Sequence, residues 1–176
     1  MPRSSRKAGV PASDGGVEQG PRRRRRPEPT PVARAIGLLS RREHSAQELR
    51  GKLLARGVLP EQADAALARI QEAGWQDDAR FAEMLVRSRA GQGYGPVRIR
   101  AELAVHGLPE TLIEEAMAAA QADWEALVSR QLRRRYGAGL ADDLAMQRKA
   151  ADFLWRRGFE LDHLRAACRL LADADD

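Results

Sequence analysis

Two helices and the turn between them can be read directly from Gly74–Gly107, GWQDDARFAEMLVRSRAGQGYGPVRIRAELAVHG. An acidic pair opens the first helix, since carboxylates accept hydrogen bonds from the free amides of a helix start, and apolar residues then recur three or four apart. Gly91, Gly93 and Gly95 interrupt this helix, and Pro96, at a first helical position, begins the next. The pattern predicts a helical hairpin with basic residues at its corner: Arg87, Arg89, Arg98 and Arg100.

The ending of the second helix recurs along the chain. Leu53, Leu103 and Leu154 are each followed four residues later by a glycine, and they lie 50 and 51 residues apart. Because a third apolar helix follows each glycine, the interval indicates tandem repeats rather than chance. We therefore predict an all-α protein of three tandem three-helix repeats that form an elongated, curved stack. The predicted modules are module one (32–74), module two (75–121) and module three (122–176).

The composition limits the possible classes of protein. The 176 residues are 43% hydrophobic but only 5% aromatic, and alanine, the strongest helix former, is abundant. No apolar run reaches the roughly 18 residues of a membrane span, and the N-terminus lacks the apolar core of a signal peptide. We therefore predict a cytoplasmic protein with no membrane partner. A single cysteine and three scattered histidines make no metal constellation, so we expect no metal and no cofactor.

The first 31 residues differ from the rest of the chain. They hold eight basic and three acidic groups, and the difference equals the whole net charge of +5. They are rich in proline, glycine, serine and arginine. With almost no large apolar side chain to offset the entropy of ordering, this tail is predicted to be disordered. Its Arg22–Arg26 run either attracts phosphates non-specifically or only solubilises the chain.

Catalytic patterns are weak in this sequence. His44, His106 and His163 lie near predicted helix ends, and a cation at a helix C-terminus is favourable without any reaction. Cys168 falls on an apolar stripe and is interpreted as a core residue. The Gly91–Gly95 segment lacks both the Gly-Lys-Ser/Thr ending and the preceding strand of a phosphate loop. We predict no catalytic residues, no enzyme activity and no small-molecule substrate.

Charged residues are distributed unevenly among the predicted helices. Basic residues concentrate on the first two helices of each module and acidic residues on the third. A stack of such modules would show a basic face and an acidic face, although a solvated, salt-bridged surface explains the same pattern. Arginine suits bidentate contacts to phosphate or carboxylate. The candidate contact residues are Arg87, Arg89, Arg98 and Arg100 of module two, Arg41 and Arg42 of module one, and Arg133, Arg134 and Arg135 of module three.

Two motifs, in order and at the right separation, resemble the RecX family of bacterial regulatory proteins. The first is LLSRREHSAQELRGKLLARG at Leu38–Gly57, and the second is the Gly74–Gly107 segment, with its Trp75 and its Arg80-Phe81-Ala82 run. The likeness covers about Val32 to Leu171. It is looser in module three, and it does not include the arginine tail.

The resemblance implies a non-enzymatic modulator of the RecA recombinase. Family members are built from three-helix repeats and lie in the groove of the RecA–single-stranded DNA filament, where they restrain ATP hydrolysis, strand exchange and co-protease activity. The implied partners are the RecA filament and single-stranded DNA, bound directly or through the filament. The chain departs from the family at the corner, where Gln92 and Tyr94 stand without a lysine, so Tyr94 either stacks on a base or packs within the protein. The alternative is a direct DNA-binding protein that uses helices four and five as a helix-turn-helix-like pair without RecA.

Overall fold

The computed structural model describes residues 28–137, 140 and 143–172, without the side chains of residues 164 and 170–172. Within these ranges the chain forms nine α-helices and no strand, which confirms the predicted all-α class. The helices are α1 (Pro31–Leu39), α2 (Ala46–Leu54), α3 (Pro60–Glu72), α4 (Asp78–Gly91), α5 (Pro96–Val105), α6 (Glu110–Ala119), α7 (Trp124–Tyr136), α8 (Leu144–Arg157) and α9 (Leu161–Ala172). The predicted tail lies outside the described residues up to position 27, and α1 begins at Pro31.

The middle helix of each module ends in the same way. Gly57, Gly107 and Gly158 have φ angles of +79°, +74° and +83°, a left-handed conformation that ends a helix and that glycine adopts without steric cost. The leucine four residues before each glycine is at most 1% exposed. The repeated leucine-to-glycine interval therefore marks the same structural position three times.

Each module has its own apolar core. In module one α1 and α2 pack on α3, in module two α4 and α5 pack on α6, and in module three α7 and α8 pack on α9. Leu49 and Ile70 fill the first core, Phe81 and Ile99 the second, and Leu132 with other residues the third. Because truncating such a buried side chain to alanine costs about 2–5 kcal/mol, each of these three cores contributes substantially to the stability of its module.

The modules are joined through the ends of their middle helices. A Cβ on Gly107, at the end of α5, would lie 2.5 Å from the Gln47 side chain at the start of α2. A Cβ on Gly158, at the end of α8, would lie 2.4 Å from Arg98 at the start of α5. At Gly57, the end of α2, a Cβ would meet nothing within 4 Å. The modules therefore follow one another in a linear series, with α2 at one end and α8 at the other.

The Arg34 side chain occupies the free end of this series at module one. Its Nη1 donates to the Arg56 carbonyl at 3.2 Å, and its Nη2 donates to the Glu28 carboxylate at 3.2 Å. At the corresponding position of module three, the Arg157 carbonyl accepts a hydrogen bond from the Gly95 amide of module two at 2.7 Å. A side chain thus takes the place of a neighbouring module at this end.

Candidate anion-binding surface

The junction between modules one and two is filled by buried polar groups. His44, Ser45 and Gln76 are at most 3% exposed. Gln76 Nε2 donates to the His44 carbonyl at 3.2 Å and to the Asp78 carboxylate at 2.9 Å. Ser45 Oγ lies 3.0 Å from His106 Nδ1. Because these hydrogen bonds join residues of the two modules, the junction is a structural joint, and His106 holds the modules together as well as closing a helix.

A single carboxylate beside this junction contacts two cationic side chains and a histidine. Glu48 contacts Arg42 through both of its oxygens, His44 Nδ1 at 2.8 Å and Lys52 at 3.3 Å. Burial raises the pKa of Glu48, but hydrogen bonds and charges from Arg42 and His44 outweigh burial and bring the pKa to about 2. Glu48 is therefore ionised at neutral pH, and Arg42, a predicted contact residue, is held against it.

Three further candidate contact arginines are also held by carboxylates. Arg89 makes two hydrogen bonds to Glu102, at 2.8 and 2.5 Å. Arg100 makes two to Glu114, at 2.6 and 3.2 Å, and Arg87 contacts Glu83 at 3.2 Å. The hydrogen bond from Arg89 lowers the pKa of Glu102 despite burial, so that pair is fully charged at neutral pH.

The Arg100–Glu114 pair has a counterpart in module one. Arg50 donates to Asp64 at 2.7 and 3.1 Å, and both residues lie 50 positions before their equivalents. Each pair joins the second helix of its module to the third. Basic and acidic side chains thus lie next to each other, and the expected separation into a basic face and an acidic face is wrong for modules one and two.

Module three carries arginines of a different kind. Arg130, Arg133, Arg134 and Arg135 lie on the exposed side of α7, and in the ranges that the structure describes none of them forms an ion pair. The same holds there for two other candidate residues, Arg41 and Arg98. The nine predicted contact arginines thus divide into four that are held by carboxylates and five that are not.

An open groove of about 670 Å³ lies between modules two and three. Its module-two wall is the end of α4 and the turn after it, residues 90–93, and its other walls are α7 and α8. Four arginines line it, namely Arg130, Arg134, Arg135 and Arg157, and none of the described residues that line it is acidic. The groove therefore has an uncompensated positive charge, unlike the arginine-rich corner that the sequence singled out.

Aromatic rings hold two of these guanidinium groups in place. Phe153 lies beneath both Arg135 and Arg157, whose Cζ atoms are 4.8 and 5.2 Å from the ring centroid. Arg157 also lies 5.3 Å from the Tyr94 centroid, and its Nη1 donates to the Gln92 carbonyl at 2.9 Å. Stacking uses the face of a guanidinium and leaves its N–H edge for an acceptor. Arg135 thus has an oriented edge available to an anion.

Tyr94 packs within the protein in this structure. Its half-buried ring lies against the core of module two, and the Arg98 guanidinium lies 4.6 Å from its centroid. Arg98 also donates to the Arg156 carbonyl of module three at 3.4 Å. Both residues thus belong to the joint between modules two and three, and base stacking by Tyr94 stays a prediction.

Sequence reasoning did not select two residues of the groove. In the sequence, Arg157 is typical of a cation at the end of a helix. Phe153, one turn earlier, is typical of an ordinary apolar residue. The available signal was the repeat itself, because Arg157 occupies the position of His106, which reaches back to the preceding module. Arg130 was visible as part of the basic run on α7 but was not among the contact residues.

The remaining residues considered for chemistry are Cys168 and possible metal ligands. Cys168 is half-buried against the core of module three, and burial raises the pKa of its thiol. In the described ranges no group of three His, Cys, Asp or Glu residues has the arrangement of a metal site. Among the same residues no helix is both long and apolar enough to span a membrane.

A linear series of three-helix modules, with a cationic groove beside its second junction, defines the class as a helical-repeat protein. The family model for the first three-helix domain of RecX matches residues 32–69, and the model for the second three-helix domain matches residues 77–117. A Regulatory protein RecX from Stenotrophomonas maltophilia (strain R551-3) is 56% identical over 155 residues, 88% of this chain and 94% of that protein. This chain belongs to the RecX family.

Two further comparisons agree with this membership. A Regulatory protein RecX from Xanthomonas axonopodis pv. citri (strain 306) is 55% identical over 153 residues, which cover 86% of this chain and 94% of that protein. The crystal structure of RecX from Lactobacillus salivarius superposes with a TM-score of 0.65 at 20% identity, covering 81% of this chain and 94% of that one. The second likeness shows that the fold is shared.

Proposed function

We propose that this chain binds in the groove of the RecA–single-stranded DNA filament and inhibits its recombinase, ATPase and co-protease activities. The observation that supports this most is the linear series of modules joined end to end. Such a series can follow a helical groove across several subunits, so that many modest contacts add through one body. Membership of the RecX family supports RecA as the partner, and activity in the cytoplasm is part of the same proposal.

The two sets of arginines have different roles in this proposal. Arg41, Arg98 and the run Arg133–Arg135 have no carboxylate partner in the described ranges and would meet DNA phosphate or acidic recombinase surface directly. Arg42, Arg87, Arg89 and Arg100 would first have to leave a carboxylate, which removes much of the gain. The protein acts by binding alone, without a catalytic residue or a cofactor.

The test follows the single-stranded-DNA-dependent ATPase of RecA while this protein is added in substoichiometric amounts. We expect ATP hydrolysis to fall, because one bound chain affects several RecA subunits. The double substitution Arg133→Glu and Arg135→Glu should weaken the inhibition. A matched control is Arg56→Glu with Arg69→Glu, which reverses two exposed arginines of module one and should inhibit like the unmodified chain. ATPase activity that stays constant at equimolar protein would overturn the proposal.

A second candidate, direct DNA binding without RecA, is favoured by the arginine-lined groove. The sequence predicts that such a protein would use α4 and α5 as a helix-turn-helix-like pair. In the structure, however, Arg89 and Arg100 of that pair are held by Glu102 and Glu114. A steep loss of DNA affinity with added salt, measured without RecA, would support this candidate. An inhibitory chain with no measurable DNA affinity would exclude it.

A further inference from the structure

We propose that the groove between modules two and three binds the phosphodiester backbone of single-stranded nucleic acid, and that the bound strand clamps this junction. The cations involved are Arg130, Arg134, Arg135 and Arg157. The inference deepens the proposed function and rests on it for its biological setting, since the groove would supply the nucleic-acid contact of a filament-bound regulator. The structural support for this binding site, however, comes from the groove alone.

The first argument is the contrast in charge compensation. Elsewhere in the described residues, pairs such as Arg50–Asp64 and Arg100–Glu114 cancel charge locally. In the groove, four guanidinium groups line one open space, and no carboxylate of the residues that the structure describes lines it. Like charges gathered in this way repel one another, and a polyanion relieves that repulsion. The ligand class is therefore an extended anion with several phosphate groups.

The second argument concerns the length of the ligand. A shallower cleft of about 560 Å³ lies beside the groove along α7 and is lined by Arg130, Arg133 and Arg134. Arg130 and Arg134 line both spaces, so the cationic surface continues beyond one phosphate site. Two buried polar atoms, Ser129 Oγ and Gln131 Nε2, have no hydrogen-bond partner in the described part of the chain, and they belong to residues lining these two spaces. A strand that runs along α7 fits this arrangement better than a single small anion.

The third argument leads to the clamp. Arg157 belongs to module three, but it donates to the carbonyls of Gln92 and Gly93 in module two, at 2.9 and 3.4 Å. A phosphate on the remaining N–H edge of Arg157 would fix the guanidinium in this bridging position, and charge-assisted bonds of this kind are strong. Gly93 lies against Gln131 so closely that a Cβ would be 2.8 Å from its side-chain oxygen. A ligand in the groove therefore contacts both modules at once.

The binding test uses the full chain with Arg22–Arg26 replaced by glutamine in every variant, so that the tail does not contribute. The probe is a fluorescein-labelled oligothymidylate of about 20 nucleotides, long enough for a site of this size. Arg130→Gln with Arg134→Gln should weaken binding at least tenfold. It should also reduce the slope of log affinity against log salt by about 1.4, which corresponds to two phosphate contacts on a single strand. The control, Arg56→Gln with Arg69→Gln, should change affinity by less than about twofold.

The clamp is tested by hydrogen exchange at the amides that cross the junction. Gly95 N–H donates to the Arg157 carbonyl and Val97 N–H to the Gly158 carbonyl, at 2.7 and 3.1 Å. Both should exchange at least fivefold more slowly when the oligothymidylate is bound. The Ala46 amide, which crosses the other junction to Asp78 at 2.9 Å, should be unaffected. Binding without added protection at Gly95 and Val97 would overturn the clamp.

Two outcomes would overturn the nucleic-acid assignment. In the first, the groove variant binds the oligothymidylate as tightly as the control. In the second, inorganic tripolyphosphate displaces the oligothymidylate at an equal concentration of phosphate, which would mark a site for a small polyphosphate. The RecA ATPase assay is a separate readout: inhibition that survives in the groove variant would contradict the groove and leave the proposed function intact.

Discussion

The two module junctions use corresponding helix ends and have different chemistry. In both, the glycine that ends one middle helix lies on the start of the preceding one, and the residue before it reaches back to the preceding module. That residue is His106 in the first junction, where it meets Ser45 in a buried polar network. It is Arg157 in the second, where it borders an open cationic groove.

The comparison shows that a repeat can keep its joint while the surroundings change from a buried polar network to an open cationic groove. The shared part consists of the positive-φ glycine and its close packing, which need no particular side chain next to them. The variable part is the reaching residue and whatever surrounds it. An open cationic surface is thus formed at one junction, and each module keeps its own helical core.

The largest expected effect comes from filling the close contact of the second junction. In Gly95→Ala the new Cβ would lie 2.3 Å from the Gly158 carbonyl oxygen and 2.7 Å from the Phe159 ring. Because backbone and a buried ring cannot move aside, we expect a loss of about 3 kcal/mol and separate unfolding of module three in urea, followed by tryptophan fluorescence. Gly91→Ala, whose Cβ meets nothing within 4 Å, should change stability by less than about 1 kcal/mol. Equal stabilities of the two variants would contradict the packing argument.

The next effect sharpens the description of the first junction. Gln76→Leu removes the amide that bridges the His44 carbonyl and the Asp78 carboxylate, leaving a buried carbonyl without its donor. We expect a loss of about 2 kcal/mol in the free energy of unfolding, measured by chemical denaturation. Gln62→Leu, at an exposed position of α3, should stay within about 0.5 kcal/mol. A neutral Gln76→Leu variant would mean that the junction is not sealed by its polar network.

A smaller effect separates capping from joining. Ser45 and Thr30 each cap a helix, by accepting from the amides of Glu48 and Ala33 respectively. Thr30 stands at the free end of module one, whereas Ser45 also contacts His106 across the junction. Thr30→Ala should cost about 1 kcal/mol, and Ser45→Ala about 1 kcal/mol more, because it also removes a buried hydrogen bond. Thermal unfolding of both variants measures the difference, and equal costs would show that the His106 contact adds nothing.

The last prediction is a dependence of stability on pH at the first junction. The pKa of Glu48 is lowered from 4.5 to about 2 in the folded chain, so the unfolded state binds the proton more readily. The stability from this carboxylate is fully present above pH 4.5 and is lost as the pH falls towards 2. Thermal melts between pH 6 and pH 2 should therefore drop less steeply for Glu48→Gln than for the unmodified chain. Parallel curves would show that Glu48 is not held in its charged form.

Much of the fold follows from local sequence rules. Asp77 caps α4 by accepting from the amides of Ala79 and Arg80, and Pro96 begins α5, because these signals act within one turn of the chain. The leucine-to-glycine interval is also local to one helix end, and its recurrence 50 and 51 residues apart predicts the three-module order. Apolar periodicity predicts burial less well. Leu161 continues the apolar stripe of α9 but is 56% exposed, because the packing of other helices decides which apolar face is covered.

Side-chain pairing across helices lay beyond the sequence. The spacing of Ser45 and Glu48 predicts a reciprocal capping box, and Ser45 does cap α2, but the Glu48 carboxylate binds Arg42 and His44. The Arg89–Glu102 pair spans 13 residues and two helices, so a count of arginines cannot reveal that one is already neutralised. The groove depends on contacts 64 and 65 residues apart, which periodicity does not encode.

Arg34 affects whether a further unit can dock ahead of module one. Its guanidinium already occupies the Arg56 carbonyl, the acceptor that a preceding unit would need in order to dock as module three docks on module two. Another copy that docked end to end through this joint would first have to displace the Arg34 side chain. An engineered protein with a fourth unit grafted ahead of α1 would need a short, uncharged residue at position 34, so that this acceptor is free again.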